Sequence, residues 1–158
     1  MKEFRVKVAD YAVARGDATI VTIGLGSCVA IVLHDRAAQV AGLAHVLLPS
    51  ESMSRDRSNL AKFPSTAVPL LLGEMRKLGA RGPLWAKLVG GASMFQKLLA
   101  NGTNMGERNL DATRIALGAA GVPILAEDVG GDYGRSVYLD VRSGRVLVRS
   151  LKRGDLEL

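Results

Sequence analysis

The chain of 158 residues has one cysteine, two histidines, one tryptophan, three tyrosines and three phenylalanines. A single thiol cannot close an internal disulfide, so nothing in the chain asks for an oxidising compartment. No second histidine or cysteine is spaced as a ligand set, so neither a zinc site nor any other cofactor is expected. With aromatics at only 4%, Val, Leu, Ile and Ala must build the core. No run reaches the roughly 18 apolar residues a membrane helix requires, so membrane insertion is not expected. The start, Met1 to Lys7, alternates charged and apolar residues and has no signal-peptide core. A soluble, cytoplasmic, monomeric chain is the expectation.

Also missing are internal repeats, linkers and low-complexity stretches, so residues 1–158 read as a single domain. A hydrophobic content of 48% and a mean hydropathy of +0.18 argue against disorder. The net charge of +6 would suit a nucleic-acid binder. However, the Lys and Arg residues are scattered and no aromatic platform lies beside them. Nucleic acid is therefore not expected; attraction to an acidic protein surface is.

What is present are short, β-branched apolar runs. Phe4 to Val8 alternates with period two, and Tyr11 to Ala14 continues it beyond a bend. Ala18 to Ile23, Val29 to Leu33 and Val40 to Leu48 read as strands, with His34-Asp35-Arg36 a polar turn and His34 exposed. Residues 50–62 are a polar loop beside the site. A helix is expected from Ser65 or Thr66 as cap, with Pro69 in its first turn and Gly79 at its end. Leu84 to Val89 is a strand with Trp85 in the core; Ser93 caps a short helix through Leu99, and Asn109 caps another. Ile124 to Ala126 is a strand, and Val137 to Val141 with Val146 to Leu151 forms a terminal hairpin. Strands at both ends with helices between them predict an α+β fold, helices packed on the faces of a mixed or mostly antiparallel sheet.

The chemistry concentrates in Thr22-Ile-Gly-Leu-Gly-Ser-Cys28-Val-Ala and, seventeen residues past the cysteine, in Ala44-His45-Val-Leu-Leu-Pro49. A lone thiol at a glycine-punctuated turn and a histidine on a neighbouring strand are the minimal parts of a nucleophile and its base. An adjacent imidazolium would hold the thiol as thiolate. The turn lets backbone N–H groups of Gly26, Ser27 and Cys28 face an oxyanion. The group that orients the imidazole is not dictated by spacing: Asp35, Asp128, Asp132 and Asp140 qualify by type, and Thr22 could present a hydroxyl. Gly24-x-Gly26 is not a dinucleotide fingerprint, because a strand follows it. Gly90-Gly91 and Gly130-Gly131 read as tight turns.

These two blocks, with Val89-Gly-Gly-Ala-Ser-Met94, Gly106-Glu-Arg-Asn109 and Asp128-Val-Gly-Gly-Asp-Tyr-Gly-Arg135, resemble the CheD family of chemoreceptor glutamine deamidases. The resemblance implies a three-layer α/β sandwich similar to the catalytic domain of cytotoxic necrotising factor toxins. It implies a Cys-His-Thr set falling on Cys28, His45 and Thr22, and hydrolysis of glutamine side chains to glutamate on methyl-accepting receptors, sometimes with methylesterase activity. It further implies a CheC-type phosphatase as partner. The alternative is a non-catalytic module whose output is stimulation of that phosphatase. The chain departs from the family pattern at Phe63-Pro64-Ser65, where a Tyr-x-Asp-like signature is common.

Overall fold

A computed structural model of the chain describes residues 1–93 and 104–158. The strands are β1 (Lys2–Val6), β2 (Tyr11–Arg15), β3 (Ala18–Leu25), β4 (Val29–Asp35), β5 (Val40–Val46), β6 (Trp85–Gly90), β7 (Ile124–Val129), β8 (Arg135–Asp140), β9 (Val146–Ser150) and β10 (Gly154–Glu157). The helices among the described residues are α1 (Pro64–Lys77) and α2 (Met105–Ala120), with short 3-10 turns at Glu51–Met53 and Leu60–Lys62. The helix expected after Ser93 falls on residues outside the described ranges.

The fold is α+β, but it holds two sheets where one was expected. The first runs β1-β3-β8-β9-β10 and the second β2-β5-β4-β6-β7. Both are mixed: β1 pairs parallel with β3 and β6 parallel with β7, while the other pairings are antiparallel. The expected continuation of the first strand fails at Ala9, whose left-handed φ of 59° turns the chain from one sheet to the other.

Alternation along β4 explains the stacking. Ala30 and Val32 join Ile20, Leu43, Val137, Leu139 and Val148 in a core between the two sheets. Val29, Ile31 and Leu33 point the other way, onto Ala67, Leu71 and Met75 of α1 and Leu110 and Leu117 of α2. Every residue of β4 is buried, which is why its sequence is apolar without a polar face. The helices therefore cover one face of one sheet, and the second sheet covers its other face.

Several ends differ from expectation. Strand β4 runs through His34 and Asp35, both buried. The polar reading failed there because each finds partners far along the chain: His34 Nε2 lies 2.9 Å from the Val141 carbonyl, and the Asp35 carboxylate accepts from Arg81 and Gly82 N–H at 2.9 and 3.0 Å. Helix α1 starts at Pro64 behind Phe63, with no side-chain cap; the Thr66 hydroxyl instead bonds back to the Leu60 carbonyl. Pro69 consequently sits inside the helix. Helix α2 starts at Asn104, whose side chain accepts from Glu107 N–H at 2.8 Å, so Asn109 is an interior residue and not a cap. Trp85 is half-buried against the His34 ring at 4.9 Å.

Ile31 is fully buried on the helix-facing side of the central strand. Replacing it with Ala is expected to cost about 2–5 kcal/mol, measured as a lowered urea midpoint with unchanged slope.

Candidate active site

Between β3 and β4 the chain turns through Gly26, Ser27 and Cys28. Three consecutive carbonyls of this turn are occupied from outside it. Gly26 O accepts from Ala92 N–H at 2.9 Å, Ser27 O from the Asn109 side-chain amide at 2.9 Å, and Cys28 O from Gly91 N–H at 2.8 Å. Among the described residues, the N–H groups of Gly26, Ser27 and Cys28 donate to no carbonyl. The approach from the Gly90-Gly91 side is closest at Gly90, with φ +111°, where a Cβ would stand 2.3 Å from Cys28 O. Only glycine fits there.

His45 enters from β5, where it pairs with Ala30 of β4. Ala30 and Cys28 face the inter-sheet core together with Leu43 and Ala41 of β5, the alternate residues that share a face with His45. Cys28, one residue before β4, and His45, opposite Ala30, therefore belong to the same face at the same end of the β4–β5 pairing. The His45 backbone is fixed at both ends, its N–H on Asp10 O at 3.0 Å and its carbonyl on Ala9 N–H at 2.8 Å. The polar loop is fastened alongside: Leu47 and Leu48 N–H donate to Lys62 O, and the Asn59 amide donates to Ala9 O.

The orienting group comes from the opposite sheet. Thr22 Oγ1 donates its single proton to Val6 O at 2.7 Å and also lies 2.7 Å from His45 Nδ1. With its proton already committed, the hydroxyl can only accept, so Nδ1 carries the hydrogen. Nε2 is then left with a lone pair, and it is buried without a hydrogen-bond partner. The carboxylates that could have served are engaged elsewhere: Asp35 on the Arg81–Gly82 turn, Asp128 on Arg135, Asp132 on Lys152 and Asp140 on Ser143.

Burial sets the protonation states. His45 is fully buried, and desolvation lowers its pKa from 6.5 to about 4. Cys28 is 7% exposed, and desolvation raises its thiol, an effect its own backbone N–H partly offsets. Low-dielectric surroundings disfavour both charges of the expected thiolate–imidazolium pair and favour the neutral thiol and the neutral imidazole. Two grooves, of about 760 and 520 Å³, open elsewhere on the surface; neither is lined by Cys28 or His45.

The structure brings Thr22 and His45 into contact and places the Gly26–Cys28 turn just before β4, at the same end of the inter-sheet space. His34 does not join them; it lies at the far end of β4. Asn109 was missed as part of the site. Besides Ser27 O, its amide donates to Leu47 O at 3.1 Å. The available signal was Asn104-x-x-Glu107, a capping pattern that freed Asn109 for another role.

Fold and site together define a class: an α+β domain of two mixed sheets holding a buried thiol and a hydroxyl-bound imidazole on one inter-sheet face. The chain belongs to the CheD family, whose description is CheD chemotactic sensory transduction and which matches residues 47–150. Relatives carry the likeness through the segment that holds Thr22, Cys28 and His45. The chain is 44% identical over 155 residues to the probable chemoreceptor glutamine deamidase CheD of Pyrococcus horikoshii, covering 98% of this chain and 96% of that one. It is 46% identical over 155 residues to the protein of the same name from Caldanaerobacter subterraneus subsp. tengcongensis, covering 97% and 96%. Against that of Methanococcus maripaludis it is 44% identical over 147 residues, covering 92% and 94%.

The protonation states have measurable consequences. In the unfolded chain His45 takes up its proton near pH 6.5, and in the folded chain only near 4. Between those values the unfolded state holds more protons, so stability is complete above about 6.5 and falls as the pH drops toward 4. His34 is shifted in the same direction by burial, so the comparison is made with His45→Gln: the urea midpoint of the native chain should fall more on acidification than that of the variant, and equal falls would contradict a buried neutral His45. Because the thiol is raised above its usual 9.0, alkylation of Cys28 by iodoacetamide should still be accelerating at that pH; a plateau near neutrality would mean a standing ion pair.

Proposed function

We propose that this protein hydrolyses glutamine side chains to glutamate on methyl-accepting chemotaxis receptors, with Cys28 as nucleophile and His45 as its base. The observation that carries the reading is the Thr22–His45 contact. It locks one tautomer and leaves Nε2 as a free acceptor on the face shared with the chain's single thiol. The relatives' name, chemoreceptor glutamine deamidase, supplies the substrate class.

In this mechanism the Cys28 S–H proton passes to His45 Nε2 as sulfur bonds to the carboxamide carbon, so the base need not be charged beforehand. The tetrahedral oxyanion is met by the N–H groups of Gly26, Ser27 and Cys28. The His45 imidazolium returns its proton to the nitrogen; the C–N bond breaks, and ammonia leaves behind a thioester. Water attacks the thioester, His45 takes its proton, the C–S bond breaks, and the thiol is restored as glutamate departs. Thr22 accepts from Nδ1–H throughout and holds the ring through both proton transfers. Access to the sulfur is through the small exposed part of Cys28, so the substrate side chain displaces neighbouring groups as it enters.

The same reading takes the domain as akin to the catalytic domain of cytotoxic necrotising factor toxins, acting in the cytoplasm as a monomer. It includes a CheC-type phosphatase as binding partner and methyl-ester hydrolysis as an accessory reaction, which the same acyl chemistry would serve.

The test is mass spectrometry of a receptor cytoplasmic fragment after incubation with the protein. Cys28→Ser should abolish amide-to-acid conversion, and Thr22→Val should slow it at least about tenfold while the chain stays folded. Conversion by Cys28→Ser at the native rate would refute the nucleophile.

A further inference from the structure

We propose that Asn109 is a positioning residue for this reaction: one carboxamide that sets the nucleophile turn against the strand that carries the base. The inference rests on the reading of Cys28 and His45 as nucleophile and base.

The need for such a group follows from the sheet register. The β4–β5 ladder ends at Val29 opposite Val46. Past that pair the two strands part. Leu47 and Leu48 give their N–H groups to Lys62 O, and Cys28 O turns to Gly91. Both reacting side chains sit at this divergence, Cys28 just before the last pair and His45 just inside it. Among the described residues, the hydrogen bonds that join the two segments beyond the ladder run through Asn109, to Ser27 O at 2.9 Å and Leu47 O at 3.1 Å. Ser27 precedes the nucleophile directly, and Leu47 lies two residues after the base. Asn109 is fully buried, and its Oδ1 has no partner. Leaving a buried acceptor unmade is costly, and it is accepted here together with two donated hydrogen bonds to Ser27 O and Leu47 O. The donors are what the position requires.

The helix behind Asn109 is anchored to the same turn. Gly106, one turn earlier, lies so close to the Gly91-Ala92 segment that a Cβ would stand 2.4 Å from both the Gly91 and Ala92 carbonyl oxygens. That segment holds Gly26 O and Cys28 O. Helix α2 thus reaches the nucleophile turn by two routes, and among the described residues Asn109 carries the hydrogen bond from it to Leu47, just past the base's strand. An error of about 1 Å in such a geometry is enough to cost roughly a hundredfold in rate.

The experiment measures kcat and KM for deamidation of a receptor cytoplasmic fragment by Asn109→Ala, Asn109→Ser and Thr113→Val. Thr113 is the comparison because it is equally buried on the same helix and donates to Asn109 O at 2.8 Å, yet among the described residues its hydroxyl bonds to neither segment. Asn109→Ala should lower kcat roughly 10- to 100-fold with KM within about threefold of native; Asn109→Ser, able to serve one carbonyl at most, should fall between. Thr113→Val should lose thermal stability but keep kcat. A native kcat in the Asn109 variants, a matching kcat loss in Thr113→Val, or failure of both Asn109 variants to fold would overturn the proposal. Cys28→Ser, assayed in parallel, separates the two readings. If it is inactive while Asn109→Ala is fully active, only the positioning role fails; if it is active, the assignment of the site itself fails.

Discussion

The hydrogen bond between Thr22 Oγ1 and His45 Nδ1 is the interaction on which the site depends, because it is a buried polar link between the two sheets set among apolar side chains. Its neighbours are Ile20, Ala30, Leu43, Val137 and Leu139. An imidazole placed there without a partner for Nδ1–H would leave a buried donor unmade, at about 1–3 kcal/mol. Thr22 resolves this only because its own proton is taken by Val6 O, the residue it faces in the parallel β1–β3 pairing. Three strands from two sheets are thereby aligned at one point, β1 through a carbonyl, β3 through a hydroxyl and β5 through a ring. A slip of one residue in β3 would turn Thr22 to the outer face and bring an apolar neighbour to the imidazole.

The same burial that makes this link specific shapes the chemistry. Desolvation lowers the His45 imidazole and raises the Cys28 thiol, so burial favours the uncharged form of each. A permanently ionised thiol would be open to oxidation and alkylation; a buried neutral one is shielded from both. The proton then moves when an electrophile is in place to receive the sulfur. His45 Nε2, buried and without a hydrogen-bond partner, is the local cost of that arrangement. Such unmet polar groups concentrate where function overrides stability.

How much of this could be read from the sequence depends on how far along the chain each partner lies. Strands β3, β4 and β5 were legible because their apolar runs are continuous and short, and the Gly24–Cys28 turn because glycine punctuates it. His45 stood out as an ionisable ring in an apolar run. Thr22 could not be separated from four aspartates, because nothing in linear spacing says which strand of a second sheet will lie over β5. The burial of His34 was hidden for the same reason: its partner, Val141, is 107 residues away. The division into two sheets turns on a single left-handed residue, Ala9, and alanine carries no signal for that conformation. Asn109 was read as a cap because asparagine favours caps; its actual partners are two backbone carbonyls brought to it by tertiary packing.

The turn at Gly26–Cys28 shows how a binding property arises from satisfying other groups. A peptide unit holds its C=O and N–H on opposite sides, so fixing the carbonyls fixes the direction of the amides. Here the carbonyls of Gly26 and Ser27, which share their peptide units with the N–H groups of Ser27 and Cys28, are taken by Ala92 and Asn109, and Cys28 O is taken by Gly91. The amides are consequently presented away from those partners. An anion-binding concavity needs consecutive N–H groups that are held in place, and outward pinning of the carbonyls does this for the Ser27 and Cys28 amides. Gly90 is what allows it, because any Cβ there would strike Cys28 O and break its contact with Gly91. The polarity of the turn therefore belongs less to the turn's own residues than to the glycine-lined segment and the helix packed behind it.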